Sequence, residues 1–189
     1  MTPRRPRKIY FILFLLPAAL FAALLIEWGH ESQSALWIKN VWFWAHVGFI
    51  STGLSGLVTA VLSATLYLLQ SSKLKAKRLD SSFLKLPSLD TLDKIHFRAL
   101  IGGVVLFSLG ILSGLFWASD RRELGDIFRD PKVSLSFVTC LIYWVIVSLH
   151  LSALGRGQKI ALGTLFAFAL LFATFMSSYY LPSSFHRGL

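Results

Sequence analysis

Five apolar runs, at residues 9–28, 41–70, 99–119, 133–154 and 160–181, restrict this chain more than any other feature. As a helix, each is long enough to cross the ~30 Å of bilayer hydrocarbon at ~1.5 Å per residue. With 55% hydrophobic residues among 189 and a mean hydropathy of +0.65, the chain carries more apolar surface than a soluble domain of this length buries. Lipid must cover the difference. The expectation is all-α: an integral membrane bundle of five transmembrane helices, forming a single membrane domain over residues 1–189.

The formal net charge of +10 would point to nucleic acid in a soluble protein, but here the basic residues fall between the apolar runs and report orientation instead. One side collects Arg4, Arg5, Arg7, Lys8, Lys73, Lys75, Lys77, Arg78, Lys85, Lys94, Arg98, Arg156 and Lys159. The other holds Lys39, Arg121, Arg122, Arg129, Lys132 and Arg187. By the positive-inside rule the first side is cytoplasmic, which sets the N-terminus inside and the C-terminus outside. The basic start and apolar middle of residues 1–28 also fit a signal peptide. That apolar run is long for one, and Glu27-Trp28 makes a poor cleavage site, so it reads as an uncleaved first span.

Small and hydroxyl residues recur along the second run at Ala45, Gly48, Thr52, Gly56, Ala60 and Ser63, the pattern of a helix-packing face. Gly103, Gly110 and Gly114 in the third run read the same way. Between these runs Pro87-Ser88 marks a helix start. Leu89, Leu92, Ile95 and Ala99 then share one face, which predicts a short amphipathic helix lying on the inner surface and leading into the third span. Asp130 before Pro131 predicts the cap of the fourth span.

The chemistry-bearing residues are five histidines: His30, His46, His96, His150 and His186. An imidazole at membrane depth is costly unless it pairs, binds something or reaches the interface. His46 lies five residues into the second run, and His186 follows the fifth, so both are expected near the outer face. His150 lies 20 residues beyond Asp130, about 30 Å lower, at the inner edge. Two imidazoles meeting at an aromatic surface suit the axial ligands of a haem, while an interfacial histidine hydrogen-bonded to a neighbouring helix fits the same spacing. Zinc is disfavoured, because no HExxH motif or paired cysteine supplies further ligands. Cys140 stands alone, so no internal disulfide forms, and without CxxCH the chain carries no covalent c-type haem. No nucleophile with a base and no close carboxylate pair lies on any span, and the chain reads as a non-enzyme.

Four segments carry a resemblance: "AHVGFISTGLSGLVTAVLSATLYLLQSSKLKAKR", "LPSLDTLDKIHFRALIGGVVLFSLGILSGLFWA", "DPKVSLSFVTCLIYWVIVSLH" with the following "GRGQK", and "FATFMSSYYLPSSFHRG". Over residues 41–188 the chain resembles the cytochrome c assembly family of integral membrane proteins, nearest its HemX and YpjD branch. The resemblance implies a multi-pass protein of the bacterial inner membrane that handles non-covalent haem b in cytochrome c-type biogenesis. His46 and His186 match the outward-facing ligands of haem iron, and His150 matches a histidine of an inner haem site, with only His96 as its candidate partner. Asp130 and Lys132 would stand on the propionate side or order the loop. Implied partners are membrane lipid, haem, and either other cytochrome c maturation proteins or a haem-synthesis enzyme, with no nucleic acid. Members that present haem for attachment carry a tryptophan-rich outer loop. Here that loop keeps Asp130-Pro131-Lys132 but has no tryptophan between Ser119 and Lys132, which removes the aromatic platform from it. The alternative is therefore a haem-free scaffold or regulator, HemX-like, whose basic inner loop docks a soluble partner.

Overall fold

No proline interrupts the chain from Val41 to Lys75, and these residues form one 35-residue helix, α1. In the computed structural model, which describes residues 41–77, 87–119, 128, 130–152 and 157–180, three more helices follow: α2 (Leu89–Ser119), α3 (Pro131–Leu151) and α4 (Gln158–Tyr180). All four are long and apolar enough to cross a membrane, and no strand occurs among the described residues. The expected first span at 9–28 lies outside them.

The helices begin and end where local chemistry says they should rather than where the apolar runs stop. Ser88 accepts the Thr91 N–H at its Oγ and opens α2. Asp130 caps α3 as expected: its Oδ1 accepts the Lys132 N–H at 2.9 Å, and Pro131 occupies the first turn, where its missing donor is not needed. Gly157 precedes α4 at φ +70, and a Cβ there would fall 2.6 Å from the Tyr67 hydroxyl. A left-handed conformation with that close approach calls for glycine.

One expectation is corrected here. The amphipathic segment after Pro87 is not a separate surface helix but the opening turns of α2, continuous to Ser119. Its apolar face packs inward, with Leu92 and His96 only 0% and 2% exposed. Burying that stripe against neighbouring helices removes it from the lipid surface. As a result α1 and α2 measure ~52 Å and ~46 Å, longer than the hydrocarbon, so one end of the pair stands clear of it.

α1 and α2 form the most extensive contact, α3 packs on α2 and α4, and α4 returns to α1 to close the ring. The core between them contains Leu57, Ala60, Leu100, Val104, Tyr143, Val147, Ile160 and Ala167. Outward, Leu112, Leu141, Val145, Phe166 and Phe172 are exposed, as a lipid-facing surface requires.

The α1–α2 seam is built on glycine. A Cβ on Gly103 would lie 2.8 Å from the Leu57 backbone nitrogen, and one on Gly53 would lie 2.6 Å from that of Phe107. Backbone here touches backbone, which only glycine allows. The predicted packing stripe is half right. Gly56, Ala60 and Ser63 are buried, but Gly48 and Thr52 are exposed, and nothing lies within 4 Å of where a Gly48 Cβ would be. α2 covers the stripe at Gly56, where a Cβ would lie 2.8 Å from the Gly103 Cα, and leaves it open at Gly48; α4 meets α1 nearer its far end, through Ser71 and Lys75.

Six interior hydroxyls are satisfied by their own helices, whereas the buried Tyr143 hydroxyl has no partner among the described residues. Ser55, Thr59, Ser63, Thr139, Thr164 and Thr174 each donate to the carbonyl four residues earlier. In hydrocarbon an unmet donor would cost several kcal/mol, so this self-satisfaction lets hydroxyls serve as small packing residues.

Candidate functional site

His46 enters the bundle one turn and a half from the start of α1, where the helix lies against the last turns of α2. Its Nδ1 is 2.6 Å from the Gly110 carbonyl oxygen. A carbonyl only accepts, so Nδ1 carries the proton, and Nε2 keeps its lone pair. The Ser113 hydroxyl donates to the same oxygen at 2.9 Å. The ring fits because α2 has no side chain beneath it: a Cβ on Gly114 would lie 2.6 Å from Nδ1 and 2.8 Å from Cε1. One turn along, Ile50 covers Gly110 in the same manner. The second glycine pair thus makes room for an imidazole and an isoleucine, whereas the sequence pattern had indicated helix-to-helix contact alone.

Aromatic side chains from the same two helix ends surround this rim. Trp42 stacks on Phe116 with centroids 5.1 Å apart, and Phe43 meets Trp117 and Trp44, each at 5.6 Å. Trp42, Trp44 and Phe116 remain 47%, 54% and 58% exposed. The loop before Asp130 lacks tryptophan, but the ends of α1 and α2 bring an aromatic surface beside His46. Sequence reasoning had an aromatic surface beside the imidazole but not the share of it that Phe116 and Trp117 supply from α2. The available signal was the pairing of Trp42-Phe43-Trp44 with Phe116-Trp117 at opposite ends of two antiparallel spans.

Asp130 and Lys132 sit at the same end. The Asp130 carboxylate is 4% exposed; one oxygen caps α3, and Oδ2 has no hydrogen-bond partner among the described residues. Lys132 reaches toward α4, its Nζ 5.9 Å from the Phe175 ring centroid, and lies close enough to His46 to act on it electrostatically. His46, Asp130 and Lys132 therefore converge from α1 and α3. His186 lies outside the described residues.

The far end of the bundle holds His150 and His96. His150, in the last turn of α3, stacks face to face on Phe97 with centroids 4.2 Å apart and planes 11° from parallel, and its buried Nδ1 has no partner among the described residues. His96 is within electrostatic reach of it. The His96 Nε2 stands 3.0 Å from the Thr164 hydroxyl oxygen. That hydroxyl spends its single proton on the Ile160 carbonyl, so its oxygen accepts and Nε2 of His96 must donate. His96 therefore keeps its lone pair on Nδ1. No group of three or more His, Cys, Asp or Glu residues able to hold a metal ion occurs among the described residues, so metal binding there would need a prosthetic group or ligands from elsewhere.

The model of the cytochrome C assembly protein family matches residues 7–186. Among curated relatives, protein HemX of Brevibacillus brevis is 29% identical over 142 residues, 75% of this chain and 51% of that protein. Cytochrome c biogenesis protein CcsA of Guillardia theta is 23% identical over 165 residues, 79% of this chain and 54% of that protein. A CcsA of Prochlorococcus marinus (strain MIT 9312) is 27% identical over 97 residues, 51% of this chain and 31% of that protein. The chain thus spans about half the length of the first two relatives. No solved structure matches it.

Proposed function

The chain belongs to the cytochrome c assembly protein family, and on that premise we propose that it is a haem-handling component of cytochrome c biogenesis whose His46 ligates haem iron through Nε2. The observation that carries the reading is the state of the ring. Its Nδ1–H is held by a backbone carbonyl, and the nitrogen left over is the one that iron takes. An aromatic rim and the Lys132 ammonium complete a surface suited to an apolar macrocycle with carboxylate substituents.

In this reading His186 would be a second ligand, Lys132 would balance a propionate, and Asp130 fixes the start of α3 that carries Lys132. Haem b, held without covalent attachment, would supply the iron centre. The protein's part is to orient the imidazole, give the ring apolar walls and balance its carboxylates. It is a carrier or sensor rather than an enzyme, a multi-pass protein of the bacterial inner membrane with the His46 end outward, as the excess of Lys and Arg toward the other end favours.

The test is the absorption spectrum of the purified full chain in detergent. Wild type is expected to show a Soret band that the His46→Ala, His186→Ala double variant loses. An identical band in both would remove the axial assignment.

A second reading rests on the length of α1 and α2. Their far ends carry Lys73, Lys75, Lys77, Lys94 and Arg98 beyond the hydrocarbon, a basic surface on which a soluble partner would dock. Under this reading, in which the protein is haem-free, reversing charge at Lys73, Lys75 and Lys77 is expected to abolish partner recovery in a pull-down, and the wild type is expected to show no Soret band.

A further inference from the structure

We propose that Gly110 and Gly114 are positioning residues for His46: together they form a seat that fixes the plane and the tautomer of the imidazole and leaves Nε2 directed away from α2. The proposal rests on the reading of His46 as an iron ligand for its purpose, though the seat itself is a property of the α1–α2 seam.

Two contacts of different kinds define the seat. The first is steric. The Gly114 Cα is the floor under the ring, and a Cβ there would overlap Nδ1 and Cε1 at 2.6 and 2.8 Å and touch Cγ at 3.4 Å. These are atoms of a rigid ring hydrogen-bonded to the same helix, so the ring cannot yield while keeping its partner. The second is polar. The Gly110 carbonyl takes the Nδ1 proton at 2.6 Å, and the Ser113 hydroxyl shares that oxygen. A histidine that donates one ring N–H to a fixed carbonyl is a more basic and better oriented ligand through the other nitrogen.

The four-residue spacing of the pair puts both on one face, one turn apart, so that the carbonyl of one and the vacant surface of the other meet the same ring. Elsewhere on the seam the glycines do something else. The nearest atoms to a Cβ on Gly53, Gly56 or Gly103 are backbone, where the helices come together, while the three nearest at Gly114 all belong to the His46 ring. Gly48 opposes nothing. That contrast supplies the controls.

The full chain in detergent, labelled with 15N-histidine, is compared as wild type, Gly114→Ala, Gly48→Ala and His46→Ala, with Gly114→Ala also made in the His46→Ala background. In wild type the His46 nitrogen shifts are expected to report a protonated Nδ1; a protonated Nε2 would overturn the proposal. Gly114→Ala is expected to displace the ring, weakening haem retention about 10- to 100-fold and shifting the Soret band and midpoint potential, whereas Gly48→Ala changes neither. Unaltered haem affinity, spectrum and potential in Gly114→Ala would overturn it.

Should Gly114→Ala fail to fold, the double variant decides. If removing the imidazole restores folding to the level of His46→Ala alone, the clash is with the ring and the seat stands. If the double variant also fails, the glycine serves helix packing and the proposal falls. Should wild type bind no haem while the nitrogen shifts and the double variant behave as expected, the seat is supported and the iron-ligand reading is the one that fails.

Discussion

At each end of the bundle a histidine is tied to a neighbouring helix by one ring nitrogen, but the two rings give up opposite nitrogens. His46 donates Nδ1–H to a carbonyl and keeps Nε2 in reserve at a half-buried rim. His96 donates Nε2–H to Thr164 and lies 2% exposed in the interior. Both lie in the first turns of their helices, His46 on α1 and His96 on α2, and both face a neighbouring helix. The difference lies in the acceptor. A backbone carbonyl reached from the next helix takes the near nitrogen, while a hydroxyl across the bundle takes the far one. The nitrogen left with its lone pair therefore differs, Nε2 at His46 and Nδ1 at His96.

The largest effect should come from exchanging the two rings' fates. On the reading of His46 as an iron ligand, His46→Ala is expected to remove haem absorbance, lowering retention at least about 100-fold, more than the loss of an outer contact would. His96→Ala is expected to leave the Soret band in place. Equal losses from the two variants would erase the distinction between the ends and return His96 to the list of ligands.

Next in size is a test of the seam that joins the two ends. Gly103→Ala places a Cβ 2.8 Å from the Leu57 backbone nitrogen, which neither helix yields without separating. Overpacking of this kind costs about 1–3 kcal/mol, so the variant should melt clearly below wild type. Gly48→Ala, with open space around it, should stay within about 0.5 kcal/mol of wild type in the same measurement. A Gly103→Ala protein as stable as Gly48→Ala would mean that the helices are held apart from the arrangement described, and with it the carbonyl that orients His46.

Thr164→Val sharpens the far end. It keeps the shape and removes the oxygen that accepts from His96, leaving a buried donor unmet at a cost of about 1–3 kcal/mol. Stability measured by thermal unfolding should fall by that much while the haem spectrum is unchanged. A spectral shift instead would tie the His96 end to the cofactor.

Much of this contrast was legible in the chain itself. Four of the five apolar runs are helices, because hydrophobic length is a one-dimensional property. Asp130-Pro131 gave the start of α3, since a cap acts within one turn. His46 and Lys132 were each expected toward one face from their places near the ends of two runs, but spacing did not give the electrostatic reach between them. The separate surface helix after Pro87 was wrong, because amphipathicity reports an apolar face without saying whether lipid or protein covers it, and here α2 carries that face into the bundle. Gly110 and Gly114 were visible as small residues, but their spacing alone does not distinguish a helix backbone from an imidazole as the opposing group. The Thr164–His96 bond spans 68 residues and has no local signature at all.

The smallest effect concerns Asp130, which belongs to the His46 end but serves it through α3. One carboxylate oxygen caps the helix, and removing it by Asp130→Ala should cost about 0.5–2 kcal/mol. Asp130→Asn keeps an oxygen for the Lys132 N–H and is nearly as good a cap, so stability should be held to within a few tenths of a kcal/mol. The charge, however, is gone. If Asp130 acts only by ordering the start of α3, the Asn variant should retain the wild-type Soret band and the Ala variant should weaken it in proportion to its lost stability. If the buried Oδ2 instead takes part in the site, the Asn variant alters the spectrum at unchanged stability, because the second oxygen has become an amide donor where an acceptor stood. Measured side by side, melting and absorbance separate the two roles. The comparison of the ends then turns on the nature of the support: His96 is fixed by one side chain on one helix, while His46 answers to groups from α2 and α3 together.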